Sequence, residues 1–215
     1  MGPLLRPLEV SKRMLQLPTK LASFVICFGL LLGNVSAQVA SYQPEELRSV
    51  GVDERAGEKV DLDLTFTAPN GYEVPLKQFF HKDRPVLLTL VYYDCPMLCN
   101  RLLNGLVDAM REMPWTPGKE YELVTISIDP KETFKLAGQR RQAYLTSYDK
   151  PAPGWHFLAD HKGNVKKLAD QVGFRYRYDP KIEQYAHAAV FMVLSPDGTI
   201  SRYLYGLRFN PRDVR

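Results

Sequence analysis

Residues 86–110, VLLTLVYYDCPMLCNRLLNGLVDAM, decide the fold. The apolar run 86–93 is continuous and rich in β-forming side chains, which predicts a strand buried on both faces of a parallel or mixed sheet. After Pro96 the apolar residues recur every three or four positions, which predicts a helix. Cys95 and Cys99 therefore lie where a buried strand passes into a helix.

The rest of the chain continues this alternation. Periodicity predicts further strands at 60–66, 72–76, 123–128, 155–159, 188–194 and 200–205, and helices at 102–110, 134–148 and 165–172. Turn residues at 69–71 and 195–198 predict a hairpin at each end of the domain. This order predicts an α/β protein with a thioredoxin-like fold, in which helices flank a mixed central sheet after an N-terminal hairpin.

The first 37 residues have the pattern of a secretory signal. An uncharged apolar run at 21–33 follows basic residues, and the small residues at 35–37 predict cleavage after Ala37. An uncleaved anchor is the alternative, although the run is shorter than the roughly 20 residues of a spanning helix. Met14 is a second candidate start. We expect residues 38–58 to form an extended polar segment and 59–215 to form the domain, with or without a complete C-terminal helix.

Composition and charge exclude several classes of protein. The 215 residues are 45% hydrophobic and 24% charged, which is ordinary for a globular chain. The net charge is +4, but residues 1–37 hold four basic residues and one acidic residue, so the other 178 contribute only +1. The sequence therefore gives no reason to expect a nucleic-acid partner.

The spacing of the cysteines suggests a redox or metal site. Cys27 lies in the leader, so the mature chain keeps only Cys95 and Cys99, in a C-x-x-x-C pattern. We expect Cys95 at the helix N-cap and Cys99 one turn later, where the partial positive charge of the helix end favours thiolates. Two thiolates form either a redox couple or half of a soft-metal site.

A third ligand has to come from elsewhere, and the chain has four histidines. His187 directly precedes the strand at 188–194, and in a thioredoxin-like sheet that loop faces the cysteine-bearing helix start. We expect His81 to be solvated, His156 to be packed and hydrogen-bonded, and His161 to begin a helix at the surface. His187 is therefore the predicted third ligand.

These motifs resemble the Sco/SenC family. The resemblance rests on VYYDCPMLCNRLLNGL at 91–106, SIDPKET at 127–133, YAH at 185–187 and the SPDG turn at 195–198, and it covers about residues 60–206. It implies a thioredoxin-like fold, with copper held by two cysteines and a distant histidine. The implied ligands are Cys95, Cys99 and His187.

The resemblance also implies a function. Sco/SenC proteins help to assemble the copper centre of cytochrome c oxidase, and some act as thiol–disulfide reductases. The implied client is a copper-accepting or thiol-bearing protein such as an oxidase subunit, close to a membrane and in the periplasm. This chain departs from the pattern at Asn100, where proline is usual, and at Ala186, where aspartate is usual.

Three other interpretations of the cysteine pair remain. A structural disulfide would close so short a loop that it would stabilise the fold little. A thiol–disulfide oxidoreductase usually has the spacing C-x-x-C. A peroxiredoxin has threonine three residues before its cysteine, where this chain has Tyr92. Copper binding is the favoured function, and the redox role of Cys95 and Cys99 is the alternative.

Overall fold

The computed structural model describes residues 49–80, 83–95 and 98–214, with backbone alone for Leu98, Cys99 and Val214. Chain contacts divide the protein into Met1–Tyr42 and Gln43–Arg215, and all described residues belong to the second unit. The predicted signal peptide and residues 38–48 of the polar segment lie outside the described residues. No helix among the residues just given is long and apolar enough to cross a membrane.

The described residues form eleven strands, a 3-10 turn and four α-helices. In chain order these are β1 (Gly51–Val52), β2 (Thr65–Thr67), β3 (Glu73–Pro75), a 3-10 turn (Leu76–Phe79), β4 (Val86–Val91), α1 (Leu98–Glu112), β5 (Glu122–Ser127), α2 (Phe134–Tyr148), β6 (Trp155–Leu158), α3 (Asn164–Gln171), β7 (Phe174–Arg175), β8 (Arg177–Asp179), β9 (Gln184–Ala186), β10 (Val190–Leu194), β11 (Ile200–Tyr205) and α4 (Pro211–Val214).

The central sheet has the order β11-β10-β4-β5-β6. Strands β4, β5 and β6 are parallel, whereas β10 is antiparallel to both β4 and β11, so the sheet is mixed as predicted. Every residue of β4 and β5 is buried. The interior position of these strands explains why β4 has a continuous apolar sequence rather than an alternating one.

The opening hairpin is confirmed, but its first strand is shorter than predicted. Strand β2 pairs with β3, and Phe66 faces Val74 in the register. Residues 62–63 instead form a turn, and the Asp63 amide donates to the Asp61 carboxylate at 2.9 Å. Aspartate favours such local bonds over a strand ladder. Val60 is still buried, so the alternation marks burial here without a strand.

Two pairings were not predicted from the sequence. Strand β1, in the segment expected to be merely extended, pairs with β7, and β8 pairs with β9 in a separate hairpin. Each of these strands has only two or three residues. So short a segment has no measurable periodicity, which is why only the folded chain reveals it.

Gly173 ends α3 in a left-handed conformation with φ of 66°, and a Cβ there would lie 1.8 Å from the Asp53 carbonyl oxygen. We expect Gly173→Ala to lower the free energy of unfolding by more than the roughly 1–2 kcal/mol that this conformation costs an L-residue. Urea denaturation measures this loss.

Gly163→Ala is the matched control, because Gly163 has φ of 75° and an added Cβ would contact nothing within 4 Å. Gly163→Ala should lower the free energy of unfolding only by the cost of the left-handed backbone conformation. Equal losses for the two variants would contradict the predicted clash with the β1 segment.

Candidate metal centre

Cys95 lies in a turn at the carboxyl end of β4. Its amide donates to the Tyr92 carbonyl at 3.4 Å, and the residue is only 4% exposed. Helix α1 is described from Leu98 onward, and residues 96–97 lie outside the described residues, so the placement of Cys95 at the helix N-cap stays a prediction.

Cys99 lies in α1, one residue after the first described residue of that helix. This agrees with the prediction that the second cysteine belongs to the helix start, where partial positive charge stabilises a thiolate. The Cys99 side chain lies outside the described residues, as do Pro96 and Met97.

A buried carboxylate holds the backbone just before Cys95. Glu132, 5% exposed, accepts the amides of Tyr93 and Asp94, each at 2.7 Å, and also the Ser127 hydroxyl. Burial raises the pKa of Glu132 above its ordinary value, since these bonds only partly offset the loss of water. No local sequence pattern indicates this role of Glu132, which only the contact between the two loops reveals.

The Cys95 carbonyl has a partner of its own. The Asn100 side-chain amide donates to it at 3.0 Å, and the Tyr144 hydroxyl of α2 donates to Asn100 Oδ1 at 3.1 Å. The Asp94 carboxylate pairs with Arg140 of the same helix at 3.0 Å. Helix α2 therefore contacts the cysteine turn in two ways, through Asn100 to the Cys95 carbonyl and directly at Asp94.

His187 lies at the same edge of the sheet as Cys95. Strand β10 runs antiparallel to β4, so the segment entering β10 lies beside the end of β4. The ring centroid of His187 is 6.0 Å from that of Tyr92, whose carbonyl accepts the Cys95 amide. The topology thus places His187 beside the cysteine turn, as the sequence predicts.

A backbone hydrogen bond selects the tautomer of His187. The ring is 6% exposed, and its Nδ1 lies 2.9 Å from the Ala188 carbonyl oxygen. Since a carbonyl can only accept, Nδ1 carries the hydrogen and Nε2 carries the lone pair. Metal-ligating histidines commonly have this arrangement, in which the other ring nitrogen is fixed by a backbone carbonyl.

The other histidines have different surroundings. His156 Nε2 lies 2.9 Å from the Glu122 carboxylate, and the ring packs on Phe79, which confirms the packed, bonded role. His161 is exposed as expected, but α3 begins only at Asn164, so His161 does not start the helix. His81 lies outside the described residues.

Aromatic side chains surround the histidine. Tyr185 packs against Tyr92 with a centroid distance of 5.5 Å, and Phe174 lies 5.9 Å from His187. Burial and the neighbouring Asp129 carboxylate, to which Tyr185 donates, raise the pKa of Tyr185 to about 12. Ala186 belongs to β9 opposite Arg177. An apolar wall of this kind limits water around His187.

Among residues with described side chains, no group of three His, Cys, Asp or Glu could hold a metal ion. The Cys99 sulfur lies outside that set, so the ligand trio of Cys95, Cys99 and His187 stays a prediction. The structure places the His187 ring beside the Cys95 turn through Tyr92.

A profile of the SCO1/SenC family matches residues 53–214. The chain belongs to the SCO1/SenC family. This confirms the resemblance seen in the cysteine, SIDPKET and YAH motifs. No curated protein matches the chain.

Solved structures include several SCO1/SenC relatives. A protein of Aquifex aeolicus VF5 is 26% identical, with a TM-score of 0.64 over 74% of this chain and 90% of its own. Bradyrhizobium japonicum ScoI, solved with copper bound, is 21% identical, with a TM-score of 0.55 over 74% and 93%. BsSco, of the Sco family of cytochrome c oxidase assembly proteins, is 17% identical, with a TM-score of 0.57 over 76% and 92%. The fold is thioredoxin-like, as predicted.

Proposed function

We propose that this SCO1/SenC protein is an exported copper metallochaperone that binds copper through Cys95, Cys99 and His187. Family membership supports the copper function, and the related B. japonicum ScoI was solved with copper bound. The observation that carries the assignment to this chain is the His187 ring beside the Cys95 turn, with Nδ1 committed to a backbone carbonyl.

The donor set suits this cargo. Thiolate sulfur selects Cu(I), and a neutral imidazole completes a three-coordinate site of net negative charge. The same residues could hold Cu(II) with one added ligand. A low coordination number leaves room for ligands of a receiving protein, which is what delivery requires. Oxidation of Cys95 and Cys99 to a disulfide would convert both thiolate ligands into a form that no longer holds copper. Copper binding and oxidation of the pair therefore exclude each other.

The client in this proposal is a copper-accepting protein of cytochrome c oxidase assembly. BsSco supports it, because its family is described by that role. The leader pattern at 1–37 supports export to the periplasm or the outer face of the inner membrane, either as a cleaved signal or as an anchor.

An anaerobic competition titration with a chromophoric Cu(I) chelator tests the proposal. We expect the reduced protein to bind one equivalent of Cu(I). We expect Cys95→Ser and Cys99→Ser each to lower the Cu(I) affinity by at least about 100-fold, because residues that only orient a metal ligand already contribute 10- to 100-fold to affinity. The control is Ser201→Ala, which changes an exposed residue of β11. Uptake unaffected by either cysteine variant would contradict the proposed site.

Thiol–disulfide exchange is the second candidate function. It is favoured by the position of Cys95 between a buried strand and a helix start, where a thiolate is stabilised. It needs the two sulfurs but gives no role to His187. A reduced protein that fails to bind Cu(I) but reduces a partner disulfide would establish this alternative.

A further inference from the structure

We propose that Asn100 is a positioning residue that holds Cys95 in place and couples it to the aromatic core through Tyr144. The proposal deepens the proposed copper function and rests on it. Asn100 is one of the two positions at which this chain departs from the family pattern. Its role follows from two hydrogen bonds, one on each side of its amide group.

The first bond fixes the orientation of the Asn100 side chain. The Cys95 carbonyl can only accept, so the atom facing it at 3.0 Å is the nitrogen of the amide. The oxygen of the amide therefore faces α2, where it accepts the Tyr144 hydroxyl at 3.1 Å. A proline at position 100 has no side-chain donor and could form neither bond.

The second bond leads to a rigid part of the protein. Tyr144 is a buried residue of α2, and its ring packs 5.7 Å from that of Trp155 and 5.9 Å from that of Phe157. Both partners lie on strand β6 of the central sheet. A continuous path of contacts therefore runs from β6 through the Tyr144 ring and hydroxyl to the Asn100 amide and the Cys95 carbonyl.

This path constrains the cysteine where the turn alone does not. Within the turn, the Cys95 amide meets its acceptor at 3.4 Å, beyond the usual hydrogen-bond range. Glu132 accepts the amides of Tyr93 and Asp94, the two residues that precede Cys95. The bond from Asn100 acts on Cys95 itself, and residues that orient metal ligands in this way commonly contribute 10- to 100-fold to affinity.

The test is a pair of variants with matched controls, measured by Cu(I) competition. We expect Asn100→Ala to weaken Cu(I) binding about 10-fold and Tyr144→Phe to weaken it by a smaller factor. Because Tyr144 acts through Asn100, the double variant should bind no more weakly than Asn100→Ala alone. The controls are Asn104→Ala, an exposed position on α1, and Tyr148→Phe, which removes a hydroxyl that has no hydrogen-bond partner among the described residues.

A copper-independent measurement separates this inference from the proposed function. In a Cys99→Ser background, we expect Asn100→Ala to raise the iodoacetamide alkylation rate of Cys95 about fivefold, the factor expected for one hydrogen bond. If the parent protein bound no Cu(I), the proposed function would fail and this rate would decide the inference. The positioning role would be overturned if Asn100→Ala and Tyr144→Phe matched their control variants in both Cu(I) affinity and the alkylation rate of Cys95. This holds even if the two variants had a lower free energy of unfolding.

Discussion

His187→Ala is expected to lower the Cu(I) affinity of the reduced protein by at least about 100-fold, more than the loss of a residue that merely orients a ligand. The proposed copper ligand is Nε2, which carries the lone pair of the ring, because Nδ1 donates to the Ala188 carbonyl at 2.9 Å. Alanine keeps the backbone between β9 and β10 but removes the imidazole. The measurement is the same anaerobic competition titration.

His161→Ala is the matched control, because His161 is exposed and its ring lies 3.1 Å from the Pro130 carbonyl oxygen rather than beside Tyr92. The exchange rate of Cys95 and Cys99 with a small disulfide should change little in His187→Ala. A large loss of exchange with unchanged copper affinity would reverse the assignment and favour the oxidoreductase.

Glu132→Ala is expected to lower the free energy of unfolding by about 3 kcal/mol, because a buried group left without a partner costs about 1–3 kcal/mol. The variant leaves the amides of Tyr93 and Asp94 and the hydroxyl of Ser127 without their acceptor. Glu132→Gln should lose less, because the side-chain oxygen of glutamine can still accept one amide. Urea denaturation measures both losses.

The control for this prediction is Glu112→Ala, an exposed glutamate at the end of α1, which should change the free energy of unfolding by less than about 0.5 kcal/mol. If Glu132→Ala were as stable as this control, water would have to replace the carboxylate at the two amides. That result would remove Glu132 as the anchor of the cysteine turn.

Much of the fold was predictable from local pattern. The run at 86–93 predicted β4 because an interior strand of a sheet contacts apolar neighbours on both faces. The predicted helix at 102–110 and the predicted turn at 195–198 are also confirmed. Both predictions succeed because each pattern depends on residues close in sequence. The pairing of β1 with β7 joins segments more than 120 residues apart, and no local pattern encodes it.

The strand and helix order of the central sheet and the place of His187 before β10 could be predicted from the sequence, because both follow from patterns of residues close along the chain. Which ring nitrogen of His187 keeps its lone pair, and which side chains hold the cysteine turn, depend on contacts that form only in the folded chain. Glu132, Asn100 and Tyr144 act through single hydrogen bonds between distant segments. Such bonds depend on distances of about 3 Å, which exist only after the chain has packed.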